Sequence, residues 1–188
     1  MKRRLLLAFV ALGSLLAPLA LARRAQEAAP AGPHTVILVR HAEKDTAKDK
    51  NDPPLTERGT QRAEELARLL GHAGVTRLVA SEFQRTQATL APLAAATGVA
   101  LETRPAKELA ALAAELAAAP AGSVTVVAGH SNTVPALAKA LGVTLGELDA
   151  NGYLADDQYD RLFLLTVGAG AAEAQSRSLT LELRYAPR

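Results

Sequence analysis

The sequence predicts an α/β protein, a three-layer α/β/α sandwich with a mostly parallel central sheet. Two short apolar runs, at 36–39 and 124–128, are typical of strands that are buried on both faces. Helical stretches separate these and other strand-like runs, and such alternation predicts βαβ units. Each of the two runs leads into a histidine, His41 or His130. Because ligands of open α/β sheets bind beyond the carboxyl ends of the strands, the fold class also predicts where a site should lie.

The predicted elements follow the apolar runs and the helix-start signals in chain order. Thr56 can cap the first helix, and Pro135 falls in the first turn of the fourth, where its missing N–H costs least. Gly71, Gly98 and Gly142 follow predicted helix ends, where a C′ glycine is common. The last two strands are predicted to form an antiparallel edge pair. The predicted strands are 35–39, 77–80, 99–102, 124–128, 162–167 and 179–184, and the predicted helices are 57–70, 84–97, 106–119 and 134–141.

The start of the chain has the pattern of a secretory signal peptide. A basic segment at 2–4 precedes a largely apolar run at 5–19, and Ala-Leu-Ala at 20–22 is a small-residue cleavage site. A retained membrane anchor is the alternative, but the small-residue ending favours cleavage after Ala22. We expect an exported protein, periplasmic or secreted, that is not membrane-bound after cleavage. The predicted organisation is a signal peptide at 1–22, a Pro/Ala-rich linker at 23–33 and one domain at 34–188.

Charge and composition exclude several classes of function. The formal net charge of the 188 residues is +2, and loss of the three basic residues at 2–4 takes it to −1, so no nucleic-acid surface is predicted. Cysteine is absent, which excludes disulfides and thiol chemistry. The chain has no H-E-x-x-H motif, no Cys/His cluster and no Walker-type phosphate loop. We therefore expect no metal and no other cofactor.

Arg40, His41 and His130 are the candidate site residues that the fold itself predicts. Arg40 and His41 follow one predicted strand, and His130 follows another. His130 also precedes a helix N-terminus, where free N–H groups and the helix dipole favour an anion. Gly129 would let the backbone approach a ligand closely. Two imidazoles and a guanidinium at two strand ends suit a phosphate or a carboxylate, and ordinary strand-end residues without a ligand are the alternative.

The segment 43–55 is predicted to be a loop, because it is rich in charged residues and contains Pro53-Pro54. It starts directly after the Arg-His pair and so overhangs whatever that pair forms. A substrate-facing lid and a solvated charged loop are both consistent with this pattern. Specificity is expected to lie in this loop and in residues 145–160. His34 and His72 are predicted to be exposed and to take no part in a site.

Four motifs follow one another at predicted strand ends or helix starts. They are Arg40-His41, Leu55-Thr56-Glu57-Arg58-Gly59, the run Ser81-Glu82-Phe83-Gln84-Arg85-Thr86-Gln87-Ala88-Thr89, and Gly129-His130-Ser131. In this order they resemble the motifs of the histidine phosphatase superfamily, the phosphoglycerate mutase-like fold. The second resembles L-T-x-x-G of that family, and the third resembles S-x-x-x-R-T-x-x-T. The Arg-His-Ala-Glu-Lys form of the first is similar to small exported bacterial members.

The resemblance implies a covalent mechanism that needs no metal. His41 would be the nucleophile, which attacks phosphorus in line and becomes a phosphohistidine that water then hydrolyses. Arg40, Arg85 and His130 would surround the three equatorial oxygens and stabilise the charge of the transition state. The same cations should lower the pKa of His41. Ser131 and Lys44 are further candidate phosphate-binding residues.

The sequence leaves the general acid open. The resemblance implies a carboxyl group after the third strand, and Glu108 is the nearest match, although it is one residue short of the family's spacing. A glutamate there would equally suit the first turn of a helix without any catalytic role. The resemblance also implies that some compact members work without an acid. The other candidates are Asp156, Asp157, Asp160 and Glu43.

We therefore expect a metal-independent phosphomonoesterase that acts through a phosphohistidine on a small phosphorylated molecule or sugar in the cell envelope. Two alternatives remain open: a phosphohistidine protein phosphatase, and a non-catalytic envelope protein that binds a phosphorylated ligand. A phosphoglycerate mutase is disfavoured, since the chain is expected to be exported. The sequence predicts neither the natural substrate nor the oligomeric state.

Overall fold

A six-stranded sheet lies between two layers of helices in the computed structural model, which describes residues 32–168 and 180–186. The strands are β1 His34–Arg40, β2 Arg77–Ser81, β3 Leu101–Arg104, β4 Val124–Gly129, β5 Arg161–Val167 and β6 Thr180–Arg184, and the helices are α1 Glu57–Leu70, α2 Gln84–Thr97, α3 Leu109–Ala117 and α4 Thr133–Ala140. The strand order is β3-β2-β4-β1-β5-β6. The first four strands pair in parallel, while β5 and β6 are antiparallel to their neighbours. The predicted α/β/α sandwich and its antiparallel edge pair are confirmed.

β1 buries side chains on both faces of the sheet. Val36 and Leu38 pack in a cluster with residues of α3 and α4, whereas Ile37 and Val39 pack on the other face with residues of α1 and α2. All four side chains are at most 1% exposed. Burial of each contributes about 1.5–3 kcal/mol. The continuous apolar run therefore forms a strand covered on both faces, as its pattern predicted.

Two elements begin later than predicted, because local hydrogen bonds set where each of them starts. α3 starts at Leu109 rather than at 106, since residues 105–108 form a turn in which the Glu108 N–H donates to the Pro105 carbonyl oxygen at 2.9 Å. The helix also ends two residues early. β3 starts at Leu101, where its ladder with β2 begins.

Gly71 follows the end of α1, as predicted, but with a right-handed φ of −58°, whereas the φ angles of Gly98 and Gly142 are positive. One single-residue prediction is wrong. His34 is only 3% exposed, and its Nε2 lies 2.7 Å from the Leu116 carbonyl oxygen, so its imidazole joins β1 to α3. His72 is exposed, as predicted.

The predicted signal peptide at 1–22 lies outside the described residues, as does the linker apart from residues 32 and 33, and as does Leu179, the predicted start of the last strand. In the part of the chain that the structure describes, no helix is both long and apolar enough to cross a membrane.

The four strands β1, β2, β3 and β4 run parallel, so their carboxyl ends lie at one edge of the sheet. The residues that follow those ends are therefore neighbours in space, although they are far apart in the chain. Most of the residues predicted to form a site lie at this edge.

Candidate active site

The two histidines predicted from separate strand ends lie side by side. β1 and β4 are neighbours, with Arg40 of β1 opposite Gly129 of β4. The backbone N–H of His41 donates to the Gly129 carbonyl oxygen at 2.9 Å, which continues the ladder one residue beyond β1. The imidazole centroids of His41 and His130 are 5.4 Å apart. Strand pairing thus brings the predicted arginine and both histidines together.

His41 is buried, and its ring is held by the backbone of the next residue, Ala42. Its Nδ1 lies 2.8 Å from the Ala42 carbonyl oxygen, and the Ala42 N–H donates to Oγ1 of Thr89 at 2.9 Å. The fully buried Thr89, the last residue of the third motif, was given no role by the sequence analysis. Burial lowers the pKa of His41 to about 3, and the positive charges of Arg40 and Arg85 add to this effect. The imidazole is therefore neutral at physiological pH.

Arg40 is 3% exposed, and among the described residues no carboxylate lies closer than 3.7 Å to its guanidinium. Its Nη1 donates to the carbonyl oxygens of Ala155, Asp156 and Gln158 at 2.7, 3.2 and 3.3 Å. The guanidinium carbon lies 4.3 Å from the ring centroid of Tyr159. Its Nη2 is 3.7 Å from the carboxylate of Asp156, whose side chain is fully exposed. Burial lowers the pKa of Arg40, against the attraction of nearby negative charges.

Arg85 reaches the same place from the start of α2. Its Nη2 is 3.4 Å from Nδ1 of His130, and its Nη1 is 3.4 Å from the carboxylate of Asp52. The guanidinium carbon lies 4.4 Å from the ring centroid of Phe83. Burial lowers the pKa of Arg85, and the positive charge of Arg40 also acts in this direction.

The Nε groups of Arg40 and Arg85 are buried and have no hydrogen-bond partner among the described residues. A buried donor left unpaired costs about 1–3 kcal/mol, and more when it is charged. Nδ1 of His34 and the hydroxyl of Tyr185 are buried without a partner among the described residues in the same way, so an unpaired Nε alone does not identify a ligand site. Two guanidinium groups beside two histidines do concentrate positive charge here, which suits an anion.

His130 is fixed on both sides of its ring. Its Nε2 lies 2.9 Å from Oγ of Ser81, and its Nδ1 faces Arg85. The backbone N–H donates to Oγ1 of Thr133 at 2.8 Å, which ties the residue to the start of α4. Burial lowers the pKa of His130 to about 4, and the charge of Arg85 contributes to this shift.

Gly129 is required by the packing of the protein itself. A Cβ at this position would lie 2.7 Å from Oγ1 of Thr133 and 3.1 Å from Cγ2 of Val134. The space beside Gly129 is thus filled by the start of α4, whereas the sequence analysis expected it to be left for a ligand.

The site residues line an open cleft of about 570 Å³. Lys44 and Ser131, the other predicted phosphate-binding residues, line it as well. So do Lys107 and Tyr153, which the sequence analysis did not single out; Lys107 lies in the turn after β3, and Tyr153 is 42% exposed. The position of Lys107, just beyond a strand end at the same edge, was the signal that could have identified it.

The candidate acids are placed in different surroundings. Asp156 is among the residues that line the cleft, and its exposed carboxylate lies 3.7 Å from Nη2 of Arg40. Glu108 is exposed at the N-terminus of α3 and does not line the cleft. Asp160 forms an ion pair with Arg184 at 3.2 Å, and Asp157 acts on Arg40 through its charge. The structure thus brings Asp156, and not Glu108, to the cleft.

Glu43 anchors the first motif to α1. Its carboxylate accepts from Nε and Nη2 of Arg62 at 3.0 and 2.8 Å and lies 3.2 Å from Nε of Arg58. Burial acts to raise the pKa of Glu43, but the hydrogen bonds from Arg62 hold it below its ordinary value. Glu43 is therefore a paired carboxylate and a poor candidate for a proton donor.

The 43–55 loop borders the cleft and is tied down at two points. Lys44 and Leu55 pair at its base. The carboxylate of Asp52 accepts from the backbone N–H of Gln84 at 3.1 and 3.2 Å, which caps α2, and the same carboxylate contacts Arg85. This contact had no signal in the sequence, since Asp52 belongs to no motif. Within residues 32–168 and 180–186, no group of three or more His, Asp and Glu side chains could hold a metal ion.

Comparisons with known proteins agree with this geometry. A family model, histidine phosphatase superfamily (branch 1), matches residues 36–115. A protein proposed to be the phosphohistidine phosphatase SixA of Nakamurella multipartitia is 31% identical, with a TM-score of 0.56, and the match covers 82% of this chain and 98% of that chain. The chain belongs to the histidine phosphatase superfamily. The predictions of the family and of a phosphatase are confirmed.

More distant structures share the fold. A protein proposed to be an alpha-ribazole-5'-P phosphatase from Escherichia coli is 16% identical, with a TM-score of 0.62 over 81% of this chain and 96% of that one. Mycobacterial glucosyl-3-phosphoglycerate phosphatase is 20% identical, with a TM-score of 0.53 over 71% of this chain and 90% of the other. No curated protein matches the chain.

Proposed function

We propose that the protein is a phosphomonoesterase that works through a phosphohistidine at His41 and needs no metal. The hydrogen bonding of His41 carries the proposal. The Ala42 carbonyl oxygen, 2.8 Å from Nδ1, can only accept, so Nδ1 holds the ring proton and Nε2 keeps its lone pair. The lowered pKa, about 3, keeps that lone pair free for attack at neutral pH.

In the first step Nε2 of His41 forms a bond to phosphorus, and the bond from phosphorus to the leaving oxygen breaks. In the second step a water oxygen attacks phosphorus, the P–N bond breaks, and inorganic phosphate leaves a neutral histidine behind. Arg40, Arg85 and His130 face the transferred group and stabilise the charge on its oxygens. These three side chains carry the electrostatic part of the rate enhancement.

The cleft supports a small phosphorylated substrate such as a sugar phosphate. Its volume of about 570 Å³ lies within the range usual for small-molecule sites. Lys44 and Lys107 at its rim offer cations to a polar or anionic leaving part, and the exposed ring of Tyr153 offers an apolar face. A hydroxylated ring with a phosphoryl group fits this combination.

The proton for the leaving alcohol is expected from Asp156, a residue of the cleft whose carboxylate lies 3.7 Å from Nη2 of Arg40. Asp156→Asn should slow hydrolysis of an alkyl phosphate far more than hydrolysis of an aryl phosphate, because a phenolate leaves without protonation. Glu108→Gln is the matched variant and should change neither rate. The reverse pattern would give the acid role to Glu108.

A phosphohistidine protein phosphatase is the second candidate. It is favoured by the similarity to the Nakamurella protein. Rates on a sugar phosphate and on a protein phosphorylated at histidine would separate the two. A much higher kcat/KM on the sugar phosphate supports the first candidate, and a much higher value on the phosphoprotein supports the second.

The proposal places the enzyme in the cell envelope, on the basis of the signal-peptide pattern at 1–22. The expected mature protein starts at Arg23 and is found in the periplasmic or the secreted fraction. N-terminal sequencing of the protein from each cell fraction tests this. An uncleaved chain in the cytoplasm would contradict it.

The direct test of the activity is hydrolysis of p-nitrophenyl phosphate by the wild type, His41→Ala and His72→Ala at acidic and neutral pH. His72 is exposed and precedes the amino end of β2, whereas the cleft lies beyond the carboxyl ends of the strands, which makes it the matched control. We expect activity in the wild type and in the control, and none in His41→Ala. Activity that survives in His41→Ala, or is lost on chelation by EDTA, would contradict the proposed mechanism.

A further inference from the structure

The tautomer of His130 follows from its two ring contacts. A guanidinium can only donate, so the Arg85 Nη2 group 3.4 Å away makes Nδ1 of His130 an acceptor. A neutral imidazole has one N–H, which must then be on Nε2. That nitrogen lies 2.9 Å from Oγ of Ser81, and the N–H donates to the serine hydroxyl.

The hydroxyl of Ser81 accepts from His130 and donates in turn to Oγ1 of Thr86. The two oxygens are 2.8 Å apart, and Oγ1 of Thr86 lies 2.7 Å from the carbonyl oxygen of Phe83. Because that carbonyl can only accept, Thr86 donates to it and accepts from Ser81. The chain thus runs from His130 through two hydroxyls to a backbone carbonyl. All three side chains are at most 9% exposed.

This orientation leaves a lone pair on Nδ1 of His130, the nitrogen that faces Arg85. A phosphoryl oxygen that binds to Arg85 would meet that lone pair and be repelled. The site accepts the anion once Nδ1 gains a proton from solvent. The imidazolium is then satisfied on both sides, by the phosphoryl oxygen at Nδ1 and by Ser81 at Nε2.

We propose that Ser81 is a positioning residue, which holds the Nε2–H tautomer of His130 and so directs proton uptake on phosphate binding to Nδ1. The proposal rests on the phosphatase site described above. It gives a function to the first residue of the third motif, whose side chain does not line the cleft. Thr86 supports it by accepting the hydrogen bond that the Ser81 hydroxyl donates.

Charged groups around His130 also affect how readily its ring is protonated. Cations oppose protonation in the free protein, and Glu82 favours it. A bound phosphoryl group brings negative charge close to the same ring and offsets the cations. The groups that act on His130 come from several elements. Glu82 follows β2, and Arg85 lies at the start of α2. Arg40 ends β1, and His41 and Lys44 follow it.

Nitrogen-15 NMR of the histidine rings tests the proposal in the wild-type protein. In the free protein at neutral pH, His130 should be protonated at Nε2 alone, and saturating inorganic phosphate should add a proton at Nδ1 while Nε2–H remains. A free protein with the proton at Nδ1 would overturn the proposal, as would phosphate that binds and leaves Nδ1 unprotonated. The tautomer of the free protein decides the role of Ser81 even where the turnover assay contradicts the proposed function.

Variants separate positioning from simple packing. Ser81→Ala should populate the other tautomer of His130, lower kcat about tenfold and shift the pH profile, since one directed hydrogen bond is lost. Ser81→Thr keeps the hydroxyl and should restore the tautomer. Ser123→Ala removes a hydroxyl bonded to the Pro120 carbonyl and is the matched control. An unchanged tautomer and pH profile in Ser81→Ala would overturn the proposal, whatever happens to kcat.

Discussion

Arg40 and Arg62 are both 3% exposed, yet they have opposite surroundings. Arg62 binds the Glu43 carboxylate through two nitrogens and donates to the Tyr185 carbonyl oxygen at 2.6 Å. Its pKa is raised, because these partners outweigh the effect of burial. Arg40 has carbonyl oxygens and a distant carboxylate instead, and its pKa is lowered by burial. Equal burial therefore does not imply an equal role.

The same contrast extends to a second pair. Arg161 is 1% exposed and binds the Glu182 carboxylate at 2.6 and 2.9 Å, whereas Arg85 has one long contact to Asp52. We call Arg62 and Arg161 the anchoring arginines, and Arg40 and Arg85 the cleft arginines. An anchoring arginine has its counter-charge in the protein. In the part of the chain that the structure describes, a cleft arginine has a carboxylate no closer than 3.4 Å, and we infer that the substrate supplies the closer counter-charge.

The largest expected effect is the loss of turnover when a cleft arginine is replaced by alanine. Arg40→Ala and Arg85→Ala should each lower kcat about 10²–10³-fold, since each removes preorganised donors from the transition state. Thermal stability should change little in Arg85→Ala, which loses a 3.4 Å contact to Asp52, and should fall moderately in Arg40→Ala, which leaves three carbonyl oxygens without their donor. Steady-state kinetics with p-nitrophenyl phosphate, together with thermal unfolding, measures both. Turnover within a few-fold of the wild type would break the distinction between the two kinds of arginine.

The anchoring arginines should show the opposite pattern. Arg62→Ala should destabilise the fold by about 3–5 kcal/mol, because it leaves the Glu43 carboxylate without its main partner. Urea unfolding measures the loss, and the double variant Arg62→Met/Glu43→Leu should recover much of it. Turnover per folded molecule should stay close to the wild type. A stable Arg62→Ala protein without activity would place this residue in the chemistry instead.

Stability should fall as the pH decreases from about 6.5 toward 4. Burial lowers the pKa of His41 to about 3 and that of His130 to about 4, below the ordinary value of 6.5. In this window the unfolded chain binds more protons than the folded protein, so acid favours unfolding, by up to about 1.4 kcal/mol for each unit of pKa shift. Melting temperatures across pH test the slope.

Inorganic phosphate should reduce that loss, since a bound anion favours protonated His130. His130→Gln should flatten the pH slope, because a glutamine does not titrate. A slope that is the same in His130→Gln and His41→Gln as in the wild type would show that the histidines are not its cause.

The smallest effect is expected for an exposed arginine. Arg68 pairs with Glu65 on the surface of α1, and its side chain is 49% exposed. Arg68→Ala should change neither turnover nor melting temperature measurably, since exposed pairs contribute little. A clear loss of turnover there would mean that general charge, rather than position in the cleft, governs the effect of arginine substitutions.

The sequence predicted the centre of the site because that centre depends on short-range pattern. Each strand end carries its own residue, and parallel pairing of buried strands is enough to bring Arg40, His41 and His130 together. Arg85 was found through its motif. Ser81, Thr86 and Thr89 stand at fixed positions of the same motif, but the groups that their hydroxyls contact were found only in the structure.

The rim of the site was less predictable than its centre. Glu108 does not line the cleft although its neighbour Lys107 does, and the turn at 105–108 sets the start of α3 at Leu109. Asp52 reaches Arg85 through the fold of a charged loop, which no pattern of residue types determines. Loop conformation depends on many weak contacts, and these were outside the reach of sequence reasoning.

Rapid-quench mass spectrometry of the wild-type protein during turnover of p-nitrophenyl phosphate shows directly whether His41 is the nucleophile. We expect one phosphoryl group on His41, labile in acid and stable in alkali, that disappears when substrate is exhausted. Turnover with no phosphoryl group on His41, or with one on a serine at the same edge, would contradict it.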